Sequence, residues 1–182
     1  KSSKGPQTME GKPLQIKSAQ ETTLLSSLAI EEPLLNLSRF KKAPSGKKTA
    51  FSLAVVSGSG GSGKSTKALC SALVDQDLGY RTLLLDADLQ FGDMAYMLGR
   101  DNAISLADVI EEPERIAQVS PEDGLPAVIA APERLEQSEL IVSHMAEIVE
   151  FVKGYFDVVV LNTGSFWTEQ HAQIIESVDK TL

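Results

Sequence analysis

The ten residues "SGSGGSGKST", Ser57 to Thr66, constrain this chain more than any other stretch. Taken alone, their Gly/Ser alternation is that of a flexible linker. Their surroundings exclude it. Directly before them, "FSLAVV" (Phe51 to Val56) is the short apolar run of a strand buried on both faces. Directly after them, "KALCSALVDQDLG" carries apolar residues at helical spacing, with Gly79 as its stop. A spacer has no room to flex there. A turn whose successive N–H groups converge on phosphate oxygens at a helix N-terminus requires that placement. Gly58, Gly63, Lys64 and Ser65 satisfy the spacing G-x-x-x-x-G-K-[ST].

The candidate nucleotide-binding residues are therefore Gly60, Gly61, Ser62, Gly63, Lys64, Ser65 and Thr66. Gly60, Gly61 and Gly63 let the backbone close on the phosphates. Lys64 offers a point charge to the β- and γ-phosphates, the Ser65 hydroxyl is a Mg²⁺ ligand, and Thr66 reaches the α-phosphate.

The rest of the chain alternates strand and helix from Ala50 onward. "RTLLLDAD", "PAVIAAP" and "DVVVLN" read as buried strands, and "VDKTL" as the start of another. "SLADVIEE" and "WTEQHAQIIESV" read as helices. "SELIVSHMAEIVEFVKGY" reads as a single helix with Leu140, Met145, Ile148, Val149 and Val152 on one side. This order predicts an α/β fold, a largely parallel central sheet with helices on both faces. Residues 1–49 are expected to be a polar tail and basic linker, with a short helix burying Leu24, Leu25 and Leu28. Residues 50–182 form the expected nucleotide-binding domain, truncated at its C-terminal side.

Two carboxylates follow the second strand. In "LLLDADLQFGD", Asp86 and Asp88 stand where a buried strand ends, the rim at which open α/β sheets bind ligands. One can serve the metal while the other orients a water. Asp93 suits helix capping equally well.

Composition narrows the partners. A formal charge of −8 opposes whole-surface attraction to nucleic acid. No apolar run approaches the roughly 20 residues of a membrane span. The single cysteine, Cys70, permits no internal disulfide, suits a reducing compartment, and reads as a small buried hydrophobe of the first helix. His144 reads as a polar-face or satisfied histidine, and His171 shares a helix face with Trp167, where packing is expected. Two histidines and one cysteine speak against a zinc site.

"SGSGGSGKST", "TLLLDADLQFGDMAYMLG", "SLADVI" and "AAPE" together resemble the MinD/ParA superfamily of P-loop ATPases, from about Phe51 to Leu182. "DADLQFGD" with "LADVIEEPERI" is most similar to the CpaE/TadZ localisation proteins of Flp pilus assembly. The resemblance implies ATP and Mg²⁺ as ligands and a nucleotide-dependent homodimer. It assigns Asp88 to the catalytic water and Asp86 to the metal side, with Lys64 catalytic as well. It further implies a cytoplasmic protein recruited to a cell pole or the inner membrane by pilus or secretion machinery.

Two positions depart from that pattern. Ser59 stands where the superfamily carries a second lysine that reaches the partner subunit's nucleotide. Asn162 ends the third long strand where an aspartate is usual, keeping an acceptor oxygen and losing the charge. The expectation is ATP binding with slow or absent hydrolysis, a weak ATPase at most. A ParA-like DNA partition ATPase and a bacterial tyrosine-kinase-type enzyme are the alternatives.

Overall fold

The apolar runs become the middle of one sheet. In the computed structural model, which describes residues 50–165 and 169–182, five strands are hydrogen-bonded side by side. In chain order the elements are β1 (Phe51–Val55), α1 (Lys64–Asp77), β2 (Thr82–Ala87), α2 (Met94–Met97) and α3 (Leu106–Glu111). A 3₁₀ turn (Pro113–Gln118), β3 (Ala127–Ile129), α4 (Ser138–Ser143) and α5 (Met145–Lys153) follow, then β4 (Val158–Thr163), α6 (Glu169–Ser177) and β5 (Lys180–Thr181). The sheet order is β3-β2-β4-β1-β5, and every pairing is parallel. The predicted α/β class and parallel sheet are what the chain adopts. The readings made for residues 1–49, including Leu24, Leu25 and Leu28, lie outside the described residues.

Burial explains the strand order. β2 and β4 are buried along their whole lengths and sit centrally, as their unbroken Leu and Val runs require. β1 is less enclosed than its sequence suggests, because Phe51 at its start is 47% exposed. On one side of the sheet, Val55, Leu84 and Val160 pack in a cluster with Ala68 and Ala72 of α1. Alanines one helical turn apart bring that helix close to the strands. Cys70 lies two residues from Ala68, about 200° round the helix, and is exposed. The expectation that it is buried is thereby corrected.

The expected single helix over 138–155 is two, ending at Lys153. It breaks at His144, whose φ of −122° leaves the helical region. The Ser143 hydroxyl donates to the Leu140 carbonyl (2.8 Å), and the His144 Nδ1 lies 2.9 Å from the same oxygen. Such local side-chain bonds compete with the helix ladder. His144 is thus a satisfied histidine, as expected. The stripe of Met145, Ile148, Val149 and Val152 survives on α5, fully buried.

The edge strand β5 is fastened by polar bonds instead of apolar burial. Ser52 of β1 is fully buried, and its N–H and hydroxyl both donate to Asp179 Oδ2, at 2.8 and 2.7 Å. The Asp179 N–H returns a bond to the Ser52 hydroxyl at 3.0 Å. The Lys153 ammonium stands 3.7 Å from the same carboxylate. The bonds from Ser52 hold the Asp179 carboxyl below its ordinary range, with Lys153 helping against a smaller desolvation. A folded-state value below the unfolded one gives stability that is present above about pH 4 and lost as pH falls through the folded value. Asp179→Ala is expected to destabilise the domain by about 1–3 kcal/mol at pH 7, by stranding the buried Ser52 donors. The gap from the parent should narrow below pH 4; urea unfolding at pH 7 and pH 3 checks both.

Candidate functional site

The loop between β1 and α1 is shaped by its glycines. Gly61 and Gly63 adopt φ of +72° and +85°, left-handed values that strain any L side chain. Gly63 caps α1, so Lys64 is its first residue. Within the loop the Ser57 hydroxyl donates to the Ser59 carbonyl (3.1 Å) and accepts from the Ser59 N–H (3.2 Å). Gly60, Gly61, Ser62, Gly63 and Thr66 are exposed and Ser65 is half-buried, which leaves the loop open toward solvent. Lys64 differs. It is only 7% exposed, and its Nζ donates to the Ser165 hydroxyl at 2.7 Å.

Parallel register delivers the rest of the site. β4 pairs Asn162 with Val55 on one side and with Asp86 on the other. The ends of β1, β2 and β4 are therefore level, and the glycine loop leaves from the same edge. Asp86 is 1% exposed. Its Oδ1 accepts from Asn162 Nδ2 at 3.0 Å and from the Asp88 N–H at 3.3 Å, and its Oδ2 accepts from the Met94 N–H at 3.0 Å. Burial raises its carboxyl to about 6, and those three bonds pull it part of the way back. The charge at pH 7 therefore costs on the order of 3 kcal/mol.

Asn162 Oδ1 is buried and has no hydrogen-bond partner among the described residues. The amide's orientation is dictated by Asp86, since only its NH₂ can donate to a carboxylate. Among the described residues the pair thus combines an acceptor with no donor and a carboxylate with no ion-pair partner. A hydrated cation held beside the pair would meet both needs, a water serving Asn162 Oδ1 and the charge serving Asp86. Mg²⁺, which keeps most of its waters and takes few protein ligands, fits this donor set.

Asp88 points into the following loop, its Oδ1 accepting from the Phe91 N–H at 3.1 Å. Asp93 occupies the N-cap position of α2 but makes no side-chain cap. The carboxylate that caps this helix is Asp86, through Met94. The capping reading of Asp93 is corrected accordingly.

Two residues missed in sequence also shape the site. A Cβ on Gly92 would lie 2.4 Å from Ala131 Cβ, 2.7 Å from Asp86 Oδ2 and 2.8 Å from the Asp88 carbonyl. Nothing in "FGD" announces so close an approach. Gly164 separates Asp88 from α6: a Cβ there would stand 3.5 Å from Asp88 Oδ1 and 3.9 Å from His171 Cε1. His171 Nε2 lies 3.1 Å from the Gly164 carbonyl, so His171 braces the turn after β4. Its sequence partner Trp167 is outside the described residues. A cleft of about 390 Å³ opens here, lined by Asp88, Gln90, Glu139, Met145, Gly164 and His171 among others.

No model of a known protein family matches the chain. Over 59 residues, 32% of its length, it is 46% identical to the antiactivator FleN of Pseudomonas aeruginosa, a match that spans 21% of FleN. Its fold is similar to that of the septum site-determining protein MinD of Pyrococcus horikoshii, complexed with Mg-ADP (TM-score 0.62, 19% identity, 72% of this chain and 56% of that one). It is also similar to cobyrinic acid a,c-diamide synthase of Mycobacterium smegmatis with a bound ATP analog and magnesium (TM-score 0.60, 22% identity, 72% and 57%). The fold shared with these solved proteins is the α/β arrangement with a parallel sheet described above. The chain spans little more than half the length of these solved relatives. No helix of the described residues is long and apolar enough to cross a membrane.

Gly92→Ala is expected to displace the 88–93 loop from Asp86 and to lower stability by about 1–3 kcal/mol, the usual cost of overpacking. A thermal melt against the parent measures the loss, and an unchanged midpoint would show that the loop yields freely.

Proposed function

We propose that residues 50–182 bind Mg-ATP and act as the nucleotide-dependent switch of a localisation or assembly factor, with slow hydrolysis. The observation that carries this reading is the Asp86–Asn162 pair, a buried carboxylate beside an oxygen without a partner among the described residues, at the end of the strands from which the glycine loop leaves. In this reading Gly60, Gly61, Ser62 and Gly63 offer backbone N–H groups to phosphate, and Thr66 reaches the α-phosphate. Lys64 is the cation for the β- and γ-phosphates. Ser65 and Asp86 are the metal-side residues, Ser65 directly and Asp86 through water. Bound Mg²⁺ supplies charge neutralisation at the phosphates. Asp88, at the mouth of the cleft, orients the attacking water.

Slow hydrolysis follows from Asn162. Its amide donates to Asp86 where a carboxylate would add negative charge, so metal affinity falls by an amount typical of an altered supporting ligand, about 10–100-fold. The FleN match favours a regulatory role, since that protein is an antiactivator. The similarity of "DADLQFGD" and "LADVIEEPERI" to CpaE/TadZ proteins favours pilus assembly machinery as the partner, met in the cytoplasm at a cell pole or the inner membrane. A nucleotide-dependent homodimer fits the same reading, with Ser59 contributing a hydroxyl and no charge across the interface.

Two measurements test the site. Labelled Mg-ATP is expected to bind the full-length protein, and Lys64→Ala to weaken that binding about tenfold or more by removing a charge-assisted contact. Equal affinities would refute the assignment. Asn162→Asp places a second carboxylate beside Asp86 and is expected to tighten Mg²⁺ binding by about tenfold or more, read by Mg²⁺ titration of the nucleotide complex. No change would mean that Asp86 already suffices.

A further inference from the structure

The outer edge of β3 is open along part of its length. In a strand the N–H and C=O of one residue face the same neighbour, and those of the next residue face the opposite side. Ala130 fixes the phase. Its N–H donates to the Ile104 carbonyl and its carbonyl accepts from the Leu106 N–H, both at 2.8 Å and away from β2. Ala127 and Ile129 therefore bond toward β2, and the N–H and C=O of Val128 face outward. A straight continuation of the 104–106 segment would cover them. The chain turns away instead, the Ala103 N–H donating to the Arg100 carbonyl at 3.0 Å. Among the described residues no strand lies on that side of β3, and neither Val128 group has another partner. Val128 is only 7% exposed, so this donor and acceptor sit in a recess, where lacking partners costs most.

A groove of about 380 Å³ opens against this edge, lined by Arg100, Asp101, Ile104, Val119, Glu122 and Val128 among others. That is the size of a ligand cleft. Arg100 is already engaged: its Nη1 pairs with the Glu122 carboxylate and its Nη2 donates to the Glu122 carbonyl. Asp101 has no ion-pair partner among the described residues. The groove thus keeps a negative charge after its one cation is matched. Residues 50–182 share that sign, with 21 acidic side chains against eight lysines and arginines.

We propose that the β3 edge docks an extended segment of another protein that carries lysine or arginine, added to the sheet as a strand beside Val128. The paired backbone donor and acceptor are what a polypeptide strand complements, and they supply the affinity. The acidic surroundings choose a basic segment and steer its approach. A nucleic acid is repelled by the same charge, and a small anion finds Arg100 occupied. Val128 stands at the level of Leu84, two residues short of Asp86 on β2, so the edge is separate from the Mg-ATP site and its test is independent of that reading.

The probe is a capped pentapeptide, Lys-Val-Thr-Val-Lys, titrated into the isotope-labelled full-length protein, with amide exchange at Ala127, Val128 and Ile129 read by NMR. Without peptide, the Val128 amide is expected to exchange faster than its two neighbours. At saturation it should slow about tenfold or more, while the neighbours stay unchanged. Two versions of the peptide, N-methylated at alternate backbone nitrogens in opposite phases, separate strand addition from loose contact. A strand bonds through one set of nitrogens, so one version should bind like the parent peptide and the other at least about fivefold more weakly. Asp101→Asn, a surface change, is expected to weaken the lysine peptide about two- to fivefold. A Val128 amide as slow as its neighbours before peptide is added would mean that the edge is already paired, and would overturn the proposal. So would a peptide that leaves Val128 exchange unchanged, or equal binding of the two methylated versions. Unchanged affinity in Asp101→Asn would overturn the choice of a basic partner.

Discussion

The Asp86 carboxylate is almost wholly shielded from solvent, and the edge of the sheet that carries the site is organised by that fact. A charge 1% exposed must be met by donors, and the chain supplies three, from Asn162, Asp88 and Met94. Each comes from a different piece of structure. Asn162 is the register partner on β4, Asp88 begins the loop after β2, and Met94 begins α2. The carboxylate thereby fixes the strand pairing, the loop and the helix relative to each other. Gly92 is the consequence, since only a residue without a Cβ fits against Asp86 and Ala131 together. The three bonds still fall short of what water gives, because the carboxyl remains raised to about 6. That shortfall is what an added cation would relieve.

Register carries this local chemistry to the glycine loop. The parallel register brings the ends of β1, β2 and β4 to one level, and β4 sits between β1 and β2. Asn162 consequently faces Val55 and Asp86 at once. Slipping β4 by one residue would replace Asn162 with Leu161 or Thr163 and turn the amide to the opposite face. The buried Leu and Val runs of β2 and β4 make such a slip costly. The core strands thus hold the site's geometry.

Legibility in the sequence follows the kind of interaction. Strand and helix positions show there because buried runs and helical stripes repeat. The loop shows because its glycines, Lys64 and Ser65 sit at fixed spacing. Asp86 and Asp88 can be chosen from their place at the end of a strand. Contacts between distant segments cannot be read in this way. Ser52 with Asp179, Lys64 with Ser165, and Gly92 with Ala131 join residues whose local sequences carry no sign of each other. Cys70 escapes for a related reason: its helix is weakly amphipathic, and the phase of its buried face is fixed by Ala68 and Ala72 meeting the sheet. The break at His144 is hidden because the apolar stripe keeps its spacing through it.

The turn after β4 connects these observations. Thr163, Gly164 and Ser165 are bonded in sequence order to the end of β1, to α6 and to the first residue of α1. A Cβ at Gly164 would stand in ordinary contact with the Asp88 carboxylate, at 3.5 Å. A shift of Lys64 would therefore be felt at Ser165, and through the adjoining peptide at the Gly164 carbonyl that His171 holds. His171 and Ile174 of α6 also line the cleft beside Asp88. The turn thus joins the first residue of α1 to a wall of that cleft through Ser165 and Gly164, while Thr163 holds it to β1. The physical requirement is short and specific: each link is a single hydrogen bond of 3.1 Å or less.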